Sequence, residues 1–169
     1  TQILYDFLDD NPRCATYPVS YTNKPAIAAA NDNLITINNA IEVDLYGQVC
    51  SESSGFRQIT GTGGQLDFVL AGYESKGGKS FVCLPSSYKD KDGNIKSRIV
   101  PYLPPGGIVT VSRTIAHIFV TEYGTFNVKG MNTWQRAEGL INISHPDTRD
   151  ELIKAAEAQN IWRRSNKKG

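Results

Sequence analysis

A glycine-rich stretch, Gly61-Thr62-Gly63-Gly64-Gln65-Leu66-Asp67-Phe68, has the residue types and spacing that could do chemistry. It lies between a β-prone run that ends at Ile59 and a run over 65–71 that can begin a helix. Glycine lets the backbone adopt positive φ or approach a ligand closely, and a helix N-terminus offers unpaired N–H groups to anions. The pattern therefore predicts a cradle of backbone donors. A tight strand-to-helix turn without a ligand is the alternative.

Two other glycine patterns lack what nucleotide binding would require. The Gly72-x4-Gly77 run is followed by Gly78 where a P-loop has Lys, and it leads into a predicted strand instead of a helix. Leu66 stands where a dinucleotide fingerprint has its third glycine. We therefore expect the segment over 75–80 to be a hairpin-like or helix-terminating turn.

The composition is that of one soluble globular domain. The 169 residues are 40% hydrophobic and 21% charged, and the formal net charge of +1 gives no field to attract nucleic acid or a membrane. No apolar run approaches the roughly 20 residues needed to span a bilayer. The chain starts at Thr1 without Met or a signal-peptide pattern, so we expect a fragment of a longer protein or a trimmed product.

The cysteine and histidine content indicates neither disulfides nor a metal site. Cys14, Cys50 and Cys83 are far apart and form no CxxC motif, which fits reduced thiols in the cytoplasm. With only His117 and His145 in the sequence, a histidine-rich metal site is not expected.

The succession of elements predicts one α/β domain over 1–162, followed by a basic, disordered tail over 163–169. Capping-box patterns place helix starts at Asn132 and Thr148. Asn23 is expected to cap a short helix that has Pro25 in its first turn. The expected helices cover 3–8, 25–30, 65–71, 133–142 and 149–160, and the expected strands cover 15–21, 34–46, 81–84, 97–103, 108–112 and 116–121.

The run over 34–46 is the strongest strand signal. Its alternation would place Ile35, Ile37, Ile41, Val43 and Leu45 on one packed face. The opposite face would carry polar groups, including two carboxylates. This second face is either solvated, which is the usual case, or the wall of a cleft.

Five motifs, taken together and in order, resemble a known family. They are EVDLYGQ over 42–48, GTGGQLDF over 61–68, SRIVP over 97–101, TEYG over 121–124 and HPD over 145–147. The combination is similar to the C-terminal domain of the acetyl-CoA hydrolase/CoA-transferase family, and within it to 4-hydroxybutyrate or butyrate–acetate CoA-transferases. The resemblance covers essentially the whole chain and implies an open, mixed or parallel sheet flanked by helices, of the NagB/RpiA-like type.

The resemblance also implies a chemistry with coenzyme A as a substrate and no metal. A glutamate carboxylate attacks an acyl-CoA thioester, forming an acyl-glutamyl anhydride and then a glutamyl-CoA thioester, and a second carboxylic acid takes the CoA. Each attack places negative charge on a carbonyl oxygen, and one aimed donor is typically worth about 2.7–4 kcal/mol there.

The family pattern then assigns roles to residues of this chain. Gly63 would supply an oxyanion-hole N–H, Gly61 would shape the turn, and the Asn23 amide would lie near the thioester. Binding of the substrate or CoA is expected from Gly64, Gln65, Glu42, Lys79 and Arg113.

The nucleophilic glutamate is expected upstream of this segment, so that the chain alone would be inactive. Glu42, Asp44 and Glu122 are expected to be supporting or structural residues. Lys76, Arg98 and Lys129 are further candidates for the CoA phosphates, although most such cations are ordinary surface charges. The partners expected are an acyl-CoA, a small carboxylic acid, the upstream domain and another copy of the chain. An acyl-CoA hydrolase and a non-catalytic CoA-binding module are the alternatives.

Overall fold

The computed structural model describes residues 1–161, so the predicted tail over 163–169 lies outside the described residues. The helices in this part of the chain are α1 (Gln2–Leu8), α2 (Val19–Thr22), α3 (Pro25–Ala28), α4 (Gln65–Glu74), α5 (Thr133–Asn142) and α6 (Arg149–Ala158). The strands are β1 (Ile35–Asn39), β2 (Glu42–Asp44), β3 (Val49–Cys50), β4 (Ser53–Ser54), β5 (Arg57–Gln58), β6 (Lys79–Cys83), β7 (Ser87–Lys89), β8 (Ile95–Ser97), β9 (Ile99–Val100), β10 (Ile118–Thr121) and β11 (Gly124–Asn127). The predicted α/β character is confirmed.

The largest sheet has the strand order β1-β6-β10-β11. β1 and β10 both run parallel to β6, and β11 is antiparallel to β10. Thr36, Val82 and Phe119 share one face of this sheet and are buried. α4 packs on that face so closely that a Cβ at Gly72 would lie 2.7 Å from Thr36 Oγ1. The glycine turn is thereby fixed at the N-terminal end of a helix that rests on the sheet.

A second sheet, of order β3-β2-β9, joins the first where the chain leaves β1. Its residues Val43, Val49 and Ile99 are fully buried. The core also contains apolar side chains of α5 and α6, such as Leu140 and Leu152. Burial of these apolar groups is the main driving force for the fold.

The predicted single strand over 34–46 is wrong, because it is divided into β1 and β2, which belong to different sheets. Ile35 and Ile37 are 51% and 70% exposed, whereas Thr36 is buried. The predicted faces are therefore reversed in β1, because α4 packs on the Thr36 side. In β2 the alternation fails, since all three of its residues are buried.

The predicted strand over 15–21 is also wrong. Pro18 is the N-cap of α2 instead, with φ of −55°. Proline fixes φ near this value and lacks an N–H, which suits the start of a helix better than a strand interior.

The helices form close to their predicted positions, whereas the predicted caps form only in part. At α5 both hydrogen bonds of the capping box form, between Asn132 and Gln135. α6 forms as expected, but Thr148 does not cap it, because its hydroxyl donates to the carbonyl of His145. The segment over 75–80 ends α4, as predicted, with Gly77 at φ of +74°.

Other strand predictions hold in part. The expected strand over 97–103 is split between β8 and β9, and the one over 108–112 is reduced to a single bridge between Val111 and Val49. The expected strand over 116–121 forms as β10, and β11, which the sequence analysis did not predict, follows from Gly124.

Candidate functional site

The glycine turn presents a row of unused backbone donors. α4 begins at Gln65, and its N-cap Gly64 has no side chain to satisfy the first turn. Within the described residues, no N–H from Gly61 to Asp67 donates to a backbone carbonyl or a side chain, and the first that does is Phe68 N–H, to the Gly64 carbonyl. Unsatisfied N–H groups at a helix start are natural binding positions for an anionic oxygen.

Positive φ does not explain the glycines of the turn. Gly61, Gly63 and Gly64 are absent from the residues with positive φ, and Gly64 has φ of −80°. An added Cβ at Gly61 or Gly63 would meet no heavy atom within 4 Å, so open space lies beside both. At Gly64 an added Cβ would lie 2.6 Å from Asn23 Nδ2 and 3.3 Å from Phe68 Cε2. Close approach therefore explains the glycine at position 64.

Asn23 lies against the turn but does not cap α3, whose N-cap is Lys24. The Thr22 hydroxyl donates to Asn23 Oδ1 over 3.1 Å. This bond occupies the amide oxygen, so the amide nitrogen is the group that faces Gly64. The structure thus places Asn23 against the turn, with the contact at Gly64 and not at Gly63.

A cavity of about 270 Å³ opens beside the turn. Gln65 lines it, and Gln65 Nε2 is buried without a hydrogen-bond partner in the described part of the chain. Asn23 is not among the lining residues, but its amide nitrogen lies against Gly64, which is one of them. The other lining residues are Asn39, Ser51, Glu52, Thr60, Gly61, Gly63, Gly64 and Thr110.

Glu52 is a residue of this cavity that the sequence analysis missed. Its side chain is 7% exposed, and Oε2 accepts a hydrogen bond of 3.2 Å from the Thr62 hydroxyl. Its backbone carbonyl accepts the N–H groups of Ile59 and Thr60. Glu52 therefore anchors the strand-to-turn connection. In sequence it stands within a polar loop, and only its burial shows that it supports the turn.

Glu42 lies in a second, larger cavity of about 420 Å³. Its carboxylate is 8% exposed, and Oε2 has no hydrogen-bond partner in the described part of the chain. Burial raises the pKa of Glu42, and the positive charge of Arg98 opposes this effect only in part. The polar face of the run over 34–46 was expected to be solvated or to form the wall of a cleft. At Glu42 it is not solvated, and the residue lines a cleft instead. Glu42 does not line the cavity beside the glycine turn.

Asp44, the other carboxylate of β2, organises the turn that follows it. Asp44 Oδ1 accepts the N–H groups of Tyr46 and Gln48, and Oδ2 accepts the Gln48 side-chain amide. Burial raises the pKa of Asp44, while these hydrogen bonds oppose the rise. With 1% exposure and its oxygens occupied, Asp44 has the structural role that the sequence predicted.

Glu122 is also held in place by hydrogen bonds. The Ser86 N–H and hydroxyl donate to its two carboxylate oxygens, over 2.9 and 2.6 Å. Burial alone would raise the pKa of Glu122, but the Ser86 bonds outweigh it and hold the pKa below its ordinary value. Glu122 thus links the end of β10 to Ser86 by hydrogen bonds, in agreement with the expected structural role.

The predicted cationic residues do not converge on the glycine turn. Lys79 and Arg113 are exposed, and neither lines its cavity. Arg98 donates to the Ile41 carbonyl and lies over the Tyr88 ring. The two remaining candidates are exposed as well: Lys76 is 3.9 Å from Asp32, and Lys129 lies over the Tyr73 ring.

The described residues contain no group of three or more His, Cys, Asp or Glu side chains that could hold a metal ion. Cys14, Cys50 and Cys83 are free thiols. In the part of the chain that the structure describes, no helix is both long enough and apolar enough to cross a bilayer.

Comparison with known proteins assigns this chain to a family. Residues 1–156 match the sequence model of the acetyl-CoA hydrolase/transferase C-terminal domain. The chain belongs to this family. Butyryl-CoA:acetate CoA-transferase of Anaerostipes caccae is 61% identical over 167 residues, which are 99% of this chain and 37% of that protein. 4-Hydroxybutyrate coenzyme A transferase of Clostridium kluyveri is 47% identical over 90% of this chain and 35% of its own length.

Solved structures agree with this assignment. RipA from Yersinia pestis matches with a TM-score of 0.85 and 41% identity, over 96% of this chain and 36% of its own. The chain thus spans little more than a third of the length of these proteins. The family resemblance on the five motifs is confirmed.

Proposed function

We propose that this chain is the C-terminal part of a CoA-transferase that moves CoA between a short-chain acyl-CoA and a small carboxylic acid. Its contribution is the glycine turn, whose free N–H groups, together with the Asn23 amide, stabilise negative charge on the thioester carbonyl oxygen. The observation that carries the proposal is the row of unused donors from Gly61 to Asp67, with Asn23 Nδ2 against Gly64.

The proposed chemistry has two covalent steps before the acceptor acid takes the CoA. A glutamate carboxylate in the upstream part attacks the thioester carbonyl, so that an acyl-glutamyl anhydride forms and CoA leaves as a thiolate. The thiolate then attacks the glutamyl carbonyl of the anhydride, which releases the first carboxylate and leaves a glutamyl-CoA thioester. The acceptor carboxylate reverses this sequence. In each addition the electron pair of the carbonyl moves to oxygen, where fixed donors act without reorganisation.

Three features support donor stabilisation in preference to a merely tight turn. The N–H groups are free, Gly61 and Gly63 leave open space for a substrate, and Gln65 Nε2 lacks a partner beside the cavity. Gly64 and Gln65 line the cavity and would contact the substrate. Glu42, Lys79 and Arg113 do not line it, so we assign them no role there. We retain the NagB/RpiA-like fold type and a cytoplasmic location as parts of the same proposal.

The function is tested by joining this chain to the upstream part of the Anaerostipes caccae relative. We expect this chimera to transfer CoA between butyryl-CoA and acetate, with mass spectrometry detecting acetyl-CoA and a glutamyl-CoA adduct on the upstream part. A cooperatively folded chimera that makes neither species would refute the proposal. The chain alone should show no transfer.

Gly63→Ala separates a working turn from a structural one. The added methyl group has no neighbour within 4 Å, so thermal stability should stay within about 0.5 kcal/mol of the wild type. If a substrate carbonyl occupies the open space, kcat/KM of the chimera should fall by about 10²-fold or more. Unchanged turnover would leave the turn with a structural role only.

A hydrolase is the second candidate, because the family model that matches covers both hydrolases and transferases. Free CoA released from butyryl-CoA without any acceptor acid, at a rate equal to that with acetate, would favour it. A CoA-binding module would instead bind CoA in titration calorimetry of the chain alone, and no upstream part would restore turnover.

A further inference from the structure

The main sheet has one open face, which α4 does not cover. Direct register pairs place Ile35 beside Lys79, Ile37 beside Phe81, and Phe81 beside Ile118. These residues point away from Thr36 and Ser80, which lie on the buried face. Ile37 is 70% exposed and Ile35 is 51% exposed, and the face also carries the half-buried side chains of Phe81, Cys83, Ile118 and Val120.

An open face is unusual for strands that pair in this way. β1, β6 and β10 are parallel neighbours, and parallel sheets occur almost only with both faces covered. Adjacent exposed apolar side chains on an edge strand also promote unwanted association. The sheet therefore lacks a second layer within residues 1–161.

The N-terminal helices do not supply that layer. α1 has no buried residue, and Ile3 and Phe7 on it are 81% and 60% exposed. α2 likewise has no buried residue. A helix this short gains its stability from packing, and the apolar side chains of these segments are largely exposed.

We propose that the open face, centred on Ile37, is the docking surface for the upstream part of the same enzyme. This inference rests on the proposed function, in which the chain works as part of a longer CoA-transferase. The chain spans 37% of the Anaerostipes caccae relative, so that protein has ample further length to provide a layer. Apart from Lys79 and Asn39, the surface is apolar and continuous across β1, β6 and β10, as expected for an interface within one folded protein instead of a transient contact.

Thiol labelling tests the proposal in the chain alone and in the chimera with the upstream part of that relative. The variant Ile37→Cys places a thiol on the face, and Lys91→Cys places one in the exposed β7–β8 hairpin as the matched control. Maleimide labelling at each position is followed by peptide mass spectrometry, which separates it from Cys14, Cys50 and Cys83. We expect the Ile37→Cys thiol to react at least about tenfold more slowly in the chimera, and the Lys91→Cys thiol to react equally in both.

Equal labelling of the Ile37→Cys thiol in both proteins would overturn the proposal. Protection in the chain alone that grows with its concentration would also overturn it, since a second copy would then occupy the face. As a second measurement, Ile37→Asp should lower the melting temperature of the chimera more than that of the chain alone, and equal effects would contradict the proposal. Neither measurement needs turnover, so a chimera that protects the face but transfers no CoA would refute only the proposed function.

Discussion

At the residue scale, Asn23 and Gly64 form the contact that gives the turn its shape. The Thr22 hydroxyl occupies Asn23 Oδ1, and Asn23 Nδ2 fills the space where a side chain at position 64 would begin. The amide is therefore held against the row of free N–H groups without forming a bond that binding would have to break. In the proposed function this amide would act as a preorganised donor, the kind of group that accelerates reactions through developing charge.

Replacing Asn23 tests whether this donor acts in the reaction. In the chimera, Asn23→Ala should lower kcat/KM by about 10²- to 10³-fold, the usual loss for one oxyanion donor. Its stability should change by less than about 1 kcal/mol, because the side chain makes one exposed hydrogen bond. Thr22→Val, which removes only the orienting hydroxyl, should cause a smaller loss. Normal kcat/KM in Asn23→Ala would exclude the amide from the chemistry.

Glu42 provides a pH-dependent prediction. Because burial raises its pKa, the folded chain keeps this proton at pH values where the unfolded chain, with an ordinary pKa of 4.5, has lost it. The stability from this group is therefore fully present below pH 4.5 and is lost as the pH rises through the folded-state pKa. Glu42→Gln, which is neutral at every pH, should be more stable than the wild type at pH 7 and should lose that advantage as the pH falls toward 4.5. Urea unfolding across this range measures it, and a difference that does not vary with pH would contradict the assignment.

At the scale of elements, the position of α4 on the sheet sets where the turn lies. Gly72 allows this approach, since an added Cβ would lie 2.7 Å from Thr36 Oγ1 and 3.0 Å from the Lys79 carbonyl oxygen. A shift of α4 would move its N-terminus, and with it every free N–H of the turn.

Gly72→Ala should therefore destabilise the chain by about 1–3 kcal/mol in urea unfolding, as overpacking typically does. Helix propensity alone would favour alanine by about 1 kcal/mol, so the sign of the result distinguishes packing from propensity. The double variant Thr36→Ala with Gly72→Ala should recover part of the loss. A Gly72→Ala chain as stable as the wild type would show that α4 does not rest tightly on β1.

The sequence predicted individual helices and strands better than it predicted which of them pack against one another. Local signals were sufficient for α1, α4 and α5, because caps and periodicity act within a few positions. They failed for the run over 34–46, because the choice of buried face depends on α4, which is distant in sequence. For the site, the glycine motif predicted the turn and the family resemblance suggested Asn23, whereas Glu52 could be found only from its burial.

At the scale of the whole molecule, the chain combines a complete core with an incomplete sheet. One face of β1, β6 and β10 is packed and the other is open, in a chain that spans little more than a third of its relatives. The glycine turn is built within residues 1–161, whereas we propose that the nucleophile and the second layer of the sheet are supplied by an upstream part. The proposed enzyme would therefore be assembled from two parts, each providing groups that the other lacks.

Amide NMR measures the central proposal most directly. The chain is labelled with ¹⁵N and joined to the unlabelled upstream part, and the complex is titrated with a non-reactive ketone analogue of acetyl-CoA or with free CoA, which has no acyl carbonyl. If the turn binds the carbonyl oxygen, the ketone analogue should shift amide protons between Gly61 and Asp67 downfield, and free CoA should not. Shifts that are the same for both ligands, or absent from the turn while other residues respond, would contradict the account.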